Sequence, residues 1–261
     1  YIHAGNVALY SGSFDLASAN ISQAVELADN NFGSDSGLKH LSQAAAYAIK
    51  IWKGLASEED IEPFSQTLLQ IEESDGWAEI YLLGLDAAFQ LCEQVGNYSF
   101  ASEVIRRFSY LAKNRNLERL QNLCRILEMR LAHLRGNTAS AELIAKEIHD
   151  EMLPLRFEQN LRGWQGYFHA SIALCTSRLM SGGIGINSLH QCQADAQSKG
   201  TFLYDIRLRV AEAILIRQSG RKNDSAEILI GAIKIAAPQK IMGPFLGDDG
   251  LKKILKDARV L

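Results

Sequence analysis

The chain is poor in three things that would otherwise steer its reading. Among 261 residues only four are cysteine and four are proline, and no apolar run reaches the roughly 18 residues needed to cross a membrane as a helix. The cysteines stand at 92, 124, 175 and 192, and none has a partner two to four residues away, which excludes the usual zinc and redox spacings. Apolar helical surroundings make them small buried thiols of a reduced, cytoplasmic protein. Catalytic signatures are also missing: no Gly-rich loop runs into Lys-Ser or Lys-Thr, and neither His-Glu-x-x-His nor Gly-x-Ser-x-Gly occurs. The six histidines at 3, 40, 133, 149, 169 and 190 include no pair at the i, i+4 spacing of a helical metal site. Gly182-Gly183-Ile184-Gly185 follows no strand and has no nearby lysine, so it reads as an inter-helix turn rather than a phosphate loop. No enzyme, cofactor or metal is expected. A formal charge of -3 argues against a whole-chain nucleic-acid binder. The start, Tyr1-Ile2-His3-Ala4-Gly5, lacks both Met and the build of a signal peptide, so the sequence reads as a piece of a longer protein.

What is present is a repeat written in glycine. Helix-like stretches end at Gly12, Gly54, Gly96, Gly136, Gly183 and Gly220, at intervals of 42, 42, 40, 47 and 37 residues. A period near 40, built from two helices and two tight turns, belongs to stacked helical hairpins, and glycine supplies the positive φ that such turns require. Helices are predicted over 1–11, 14–30, 37–53, 61–73, 77–94, 99–113, 117–134, 139–151, 162–180, 185–198, 201–218, 224–236 and 249–257, with no credible strand. Met152 to Asn160, with Pro154, marks a kink or insertion near 152–161 in what otherwise reads as a single helical-repeat domain over 1–261. The predicted fold is all-α: a right-handed superhelical solenoid of about six tetratricopeptide-like hairpins with a terminal capping helix. Local signals agree. Asn97 and Asn137 follow turn glycines as N-caps would, with Asn223 close to a third, and Asp60 before Pro63 suits a helix start. Asp224 with Glu227 three residues on reads as a capping box.

Charge is ordered along the chain. From Gly54 to Glu103 there are eleven acids and no Lys or Arg. From Arg106 to Arg135 there are eight basic residues and only two acids, Glu118 and Glu128. Two readings follow: solvated faces joined by ion pairs between neighbouring repeats, or a basic hairpin that receives an anionic ligand or an acidic partner domain. Aromatic residues supply the other handle. Trp77 and Tyr81 lie one helical turn apart, Trp164, Tyr167, Phe168 and His169 cluster with Arg162 and Gln165, and Tyr204 and Arg207 open a later helix. Most such rings pack between helices. If the concave wall holds a small molecule, Trp77, Tyr81, Arg125, Arg162, Gln165, His169, Tyr204 and Arg207 are its predicted lining. Rings with amides and guanidinium groups suit a sugar, a small aromatic compound or a carboxylated metabolite.

The last 60 or so residues carry a more particular likeness. Ala213-Ile214-Leu215-Ile216-Arg217-Gln218-Ser219-Gly220-Arg221 leads through Ala226 and Ala232 to Pro238, then to Gly243-Pro244-Phe245-Leu246-Gly247-Asp248-Asp249-Gly250-Leu251 and Ile254-Leu255. This resembles the tetratricopeptide-like sensor domain of the large ATP-dependent LuxR-type bacterial transcription activators, the maltose-regulon activator group. One difference is Gly243-Pro244, where family tails often carry an arginine shortly before the Phe. The resemblance implies an effector-sensing, self-associating module that performs no reaction and makes no direct DNA or membrane contact. Its partners would be a small-molecule effector and neighbouring domains, an ATPase before it and a helix-turn-helix after it. The alternative is a tetratricopeptide-type protein-protein scaffold with no small ligand.

Overall fold

A computed structural model describes residues 1–33, 36–74, 77–151, 164–179, 182–247 and 249–258. They form an all-α protein of thirteen α-helices, with no strand among the described residues. In order these are α1 (Ile2–Tyr10), α2 (Phe14–Phe32), α3 (Gly37–Trp52), α4 (Ile61–Glu73), α5 (Ala78–Val95), α6 (Tyr98–Asn114), α7 (Glu118–Leu134), α8 (Thr138–Glu151), α9 (Trp164–Thr176), α10 (Gly182–Ser198), α11 (Phe202–Gln218), α12 (Lys222–Ala236) and α13 (Asp249–Ala258). The predicted kink at 152–161 lies outside the described residues.

The turn glycines work as the sequence predicts at five of six positions: Gly12, Gly54, Gly96, Gly136 and Gly220 all have φ between +69° and +84°. Gly183 does not. Both Gly182 and Gly183 belong to the first turn of α10, and the left-handed residue between α9 and α10 is Arg178, at φ +60°. The correction makes the repeat more regular. Positions 12, 54, 96, 136, 178 and 220 are spaced 42, 42, 40, 42 and 42 residues apart. A second series of turns, at Gly33, Asn116, Gly200 and Lys240, also has positive φ. Most of these turns close the same way: the residue after the left-handed one donates its N–H to the carbonyl five residues back. Examples are Ser13 to Ala8 at 2.8 Å, Asn97 to Cys92 at 3.1 Å, Leu117 to Ala112 at 2.9 Å and Leu179 to Leu174 at 2.9 Å. That bond satisfies a carbonyl the helix end would otherwise leave orphaned.

The helix starts also have identifiable chemistry. Asn97 accepts from the Phe100 N–H at 3.1 Å and Asn137 from that of Ser140 at 3.3 Å, as caps. Asp224 is not the cap expected of it. Helix α12 begins two residues earlier, and Asp224 instead accepts from Arg221 Nε at 2.5 Å across its first turn. Ahead of α4, Ser57 and Asp60 form a capping box, and Lys50 reaches Asp60 at 2.5 Å.

The chain divides into two compact units: residues 1–121 with 239–243, and residues 122–238 with 244–261. The division falls within α7. In the first unit, helices pack in chain order, each against the next, with α1 also meeting α3, α3 meeting α5 and α4 meeting α6. Every residue of α5 from Ile80 to Cys92 is buried, so that helix has no solvent face. Segment 239–243 completes this unit. A Cβ on Gly243 would stand 2.6 Å from the Ile51 carbonyl oxygen and 2.9 Å from both Cα and O of Trp52. Gln90 donates to the Gly243 carbonyl at 3.1 Å, and Gln94 to that of Ile51 at 3.2 Å. In the second unit α9 packs on α10 and α11, α11 on α12, and α13 on both α11 and α12.

Two predictions follow from these constraints. Gly96→Val and Gly136→Val meet open space, so each should cost only the left-handed penalty of about 1–2 kcal/mol. Gly243→Ala instead drives a methyl into backbone that cannot yield, and urea denaturation should show a loss of about 1–3 kcal/mol or more. The second concerns acid. Burial pushes the Asp60 carboxyl up, but the Lys50 ammonium and the Ser57 N–H and hydroxyl outweigh it and hold it below its ordinary value. A depressed carboxylate stabilises the fold above its unfolded pKa of about 3.9, and that contribution is lost as pH falls through the lower folded value. Asp60→Asn should therefore flatten the acid limb of a stability-pH curve below about pH 4.

Candidate functional site

Trp77 is the predicted site residue that borders a cavity in the first unit. It stands at the N-cap of α5, 40% exposed, because the first residue of a helix projects beyond the layer that buries the rest. Its indole stacks on the His3 imidazole with ring centroids 4.4 Å apart and planes 23° from parallel. The two rings form part of the wall of a cavity of about 640 Å³ in the first unit. The start of α1 supplies Tyr1, Ile2 and His3; α2 supplies Ala24, Leu27, Ala28, Asn31 and Phe32; α3 supplies Leu38 and Ser42. Five of the large apolar side chains left exposed by the fold meet here: Tyr1, Leu27, Phe32, Leu38 and Trp77. The polar groups are few. Ser42 Oγ already donates to the Leu38 carbonyl at 2.8 Å and Asn31 Nδ2 to that of Leu27 at 2.7 Å, leaving the Asn31 side-chain oxygen as an acceptor at the rim.

Tyr81, one turn further along α5, is a different kind of residue. It is 1% exposed, its ring meets Phe108 edge-on at 6.3 Å, and its hydroxyl donates to the Ser74 carbonyl at 2.7 Å. The same hydroxyl accepts from Arg115 Nη1 at 2.6 Å. Arg115 also donates to the carbonyls of Ser74 at 2.9 Å and Glu72 at 3.0 Å, so it caps the C-terminus of α4. Arg107 and Glu72 form a forked, largely buried pair, with Arg107 Nε at 3.0 and 3.2 Å from the two carboxylate oxygens. Arg119 reaches Glu79 at 2.9 Å. Arg107 and Arg119 of the basic block thus pair with acids of the block before it, as the first of the two readings expects.

The remaining predicted residues belong to the second unit. Arg125 pairs with Glu147, joining α7 to α8. Gln165 and His169 are buried on α9. His169 Nε2 lies 2.9 Å from the Tyr204 hydroxyl, and the Tyr204 ring packs against Phe168 at 5.1 Å, with the Arg207 guanidinium 5.8 Å from its centroid. The structure therefore brings His169 and Tyr204 together in the core of this unit, with the half-buried Arg207 beside the Tyr204 ring. Arg162 lies outside the described residues. All four cysteines are buried and unbridged. Burial raises the Cys175 thiol to about 12 and the Cys192 thiol to about 11, well away from a nucleophile.

Sequence reasoning passed over Tyr1, His3, Leu27, Phe32 and Leu38. A signal was there: 24, 27, 28 and 31 form one stripe on α2, but periodicity alone does not tell a covered stripe from an open one. Among the described residues, no group of three or more His, Cys, Asp or Glu side chains converges to hold a metal ion, and no helix is long and apolar enough to cross a membrane.

The buried pairs make a direct prediction for denaturation experiments. Tyr204→Phe should lose about 1–3 kcal/mol by leaving His169 without that partner, and Arg107→Ala about 3–5 kcal/mol by leaving Glu72 buried without its counter-charge. No family model, curated protein or solved structure matches this chain.

Proposed function

We propose that this chain is a ligand-binding regulatory module rather than an enzyme, and that a small effector with a flat, largely apolar face occupies the cavity beside Trp77. The observation that carries the reading is that cavity itself: about 640 Å³, walled by the stacked Trp77 and His3 rings, with apolar side chains left exposed around it. Its size suits a metabolite, and few convergent polar groups among apolar walls are the usual build of such a site. The wider setting is the sensor domain of a LuxR-type bacterial transcription regulator, where effector binding favours self-association and DNA binding by the full-length protein. The recurrence of left-handed turns every 40 to 42 residues and the neighbour-to-neighbour packing within each unit support a superhelical stack of tetratricopeptide-like hairpins. The likeness of the last 60 residues to that family adds to it, and the four buried free thiols accord with a cytoplasmic setting.

A second reading draws on the same rim. Phe32 is 65% exposed and Tyr1 57%, and such side chains would also seat the apolar face of a helical peptide from a protein partner.

Thermal denaturation against sugars, aromatic acids, amino acids and nucleotides separates the two. A true effector at a hundred times its Kd should stabilise the protein by about 2.7 kcal/mol. Trp77→Ala, at an exposed position, should keep the unliganded melting curve nearly unchanged and lose most of that gain. Equal stabilisation of both proteins would move the ligand to another place. A flat screen combined with saturable binding of an amphipathic peptide would replace the effector reading with the scaffold.

A further inference from the structure

The segments that build the cavity beside Trp77 carry charge of one sign. From Tyr1 to Leu38 the sequence holds Asp15, Glu26, Asp29 and Asp35 but no Lys or Arg, and from Gly54 to Ile105 it again holds no Lys or Arg. Among the described residues that line the cavity there is accordingly no Lys or Arg. Two cations belong to the same neighbourhood of the chain or fold, and each has an acid. Lys39, next to Leu38, meets Asp29 at 2.6 Å, and Arg119 meets Glu79, two residues beyond Trp77, at 2.9 Å. The polar side chains that α2 and α3 bring to the wall are one-sided too. Ser42 gives its single O–H to the Leu38 carbonyl at 2.8 Å, and Asn31 turns its amide nitrogen to the Leu27 carbonyl at 2.7 Å. What they have left for an occupant is chiefly oxygen lone pairs.

We infer that the occupant of this cavity is a protonated arylalkylamine, an aromatic ring with an ammonium group on a short chain. This rests on the reading of the cavity as an effector site and names the chemistry that the site selects. A carboxylate or phosphate entering it would leave water with no guanidinium or ammonium to receive it, and an unmatched charge is costly to enclose. A sugar brings many hydroxyls, each in need of a partner, to a wall that is mostly aliphatic and aromatic. An arylalkylamine meets both limits. Its ring packs on apolar side chains such as Leu27, Phe32 and Leu38. Its ammonium carries three N–H donors for acceptors such as Asn31 Oδ1, and the exposed part of the Trp77 indole attracts a cation through its π face. The acids of the surrounding segments add a field of the matching sign.

Three indoles that share one ring and differ in charge test this by titration calorimetry of the full chain: tryptamine, 3-methylindole and indole-3-propionate. Neutral pH and physiological salt, where the Debye length is about 8 Å, screen diffuse attraction. Tryptamine should bind one-to-one and at least about tenfold more tightly than indole-3-propionate, with 3-methylindole between them. Asn31 is exposed, so Asn31→Lys should keep the parent melting curve while weakening tryptamine about fivefold and strengthening indole-3-propionate. Trp77→Ala should weaken all three. Indole-3-propionate binding as tightly as tryptamine, or no binding by any of the three, overturns the amine. The first result, with the binding lost in Trp77→Ala, leaves the effector cavity standing. Affinities unchanged in Trp77→Ala remove both the amine and the cavity.

Discussion

Helix α5 has no face turned to water. Every residue from Ile80 to Cys92 is enclosed, and α11 comes close to the same condition. A helix of this kind has no stable existence by itself or within a single hairpin, because its outward side would expose as much apolar surface as its inward side hides. Neighbours must therefore arrive on both flanks, in order and at fixed distance. The regular left-handed turns meet that demand. One turn of each helical pair recurs every 40 to 42 residues and, closed in most cases by a bond to the carbonyl five residues back, delivers the next helix with little freedom in its direction. Polar groups trapped by the enclosure then have to find one another, as His169 and Tyr204 do, and as Arg107 does with Glu72. Such pairs contribute less to net stability than to the choice of one packing over others, since a slipped helix would strand them.

Much of this was legible in the amino-acid order. The helices and most turns could be placed because glycine is a good proxy for positive φ. The proxy failed at Arg178, where an arginine takes the left-handed conformation, and at Gly182 and Gly183, which open a helix although they look like a turn. Residue identity reports what is easy for the backbone, and tertiary contacts decide what it does. Asp224 shows the same limit on a smaller scale: its carboxylate could cap a helix, but Arg221 three residues earlier holds it.

The candidate sites were less legible for a related reason. Trp77 and Tyr81 are equivalent by periodicity, yet one is at a helix end facing a cavity and the other is sealed beneath Phe108 and Arg115. The spacing places them on one face and leaves open where the covering layer stops. The cavity beside Trp77 is bordered by residues from several separate elements, and no local pattern links Leu38 to His3. By contrast, the charge blocks were readable in part because ion pairs between alternate helices join residues only 35 to 40 positions apart.

The place of Gly243 bears on how the protein is made. The first unit includes residues 239–243, and the Gln90 amide that meets the Gly243 carbonyl lies 153 positions earlier in the chain. A polypeptide leaving the ribosome exposes the backbone of Ile51 and Trp52 long before the segment that covers it has been translated. Helices α1 to α6 can pack against one another as they emerge, but that unit stays unfinished until residues 239–243 have been made. For that interval an uncovered seam is open to chaperones or to misplaced neighbours.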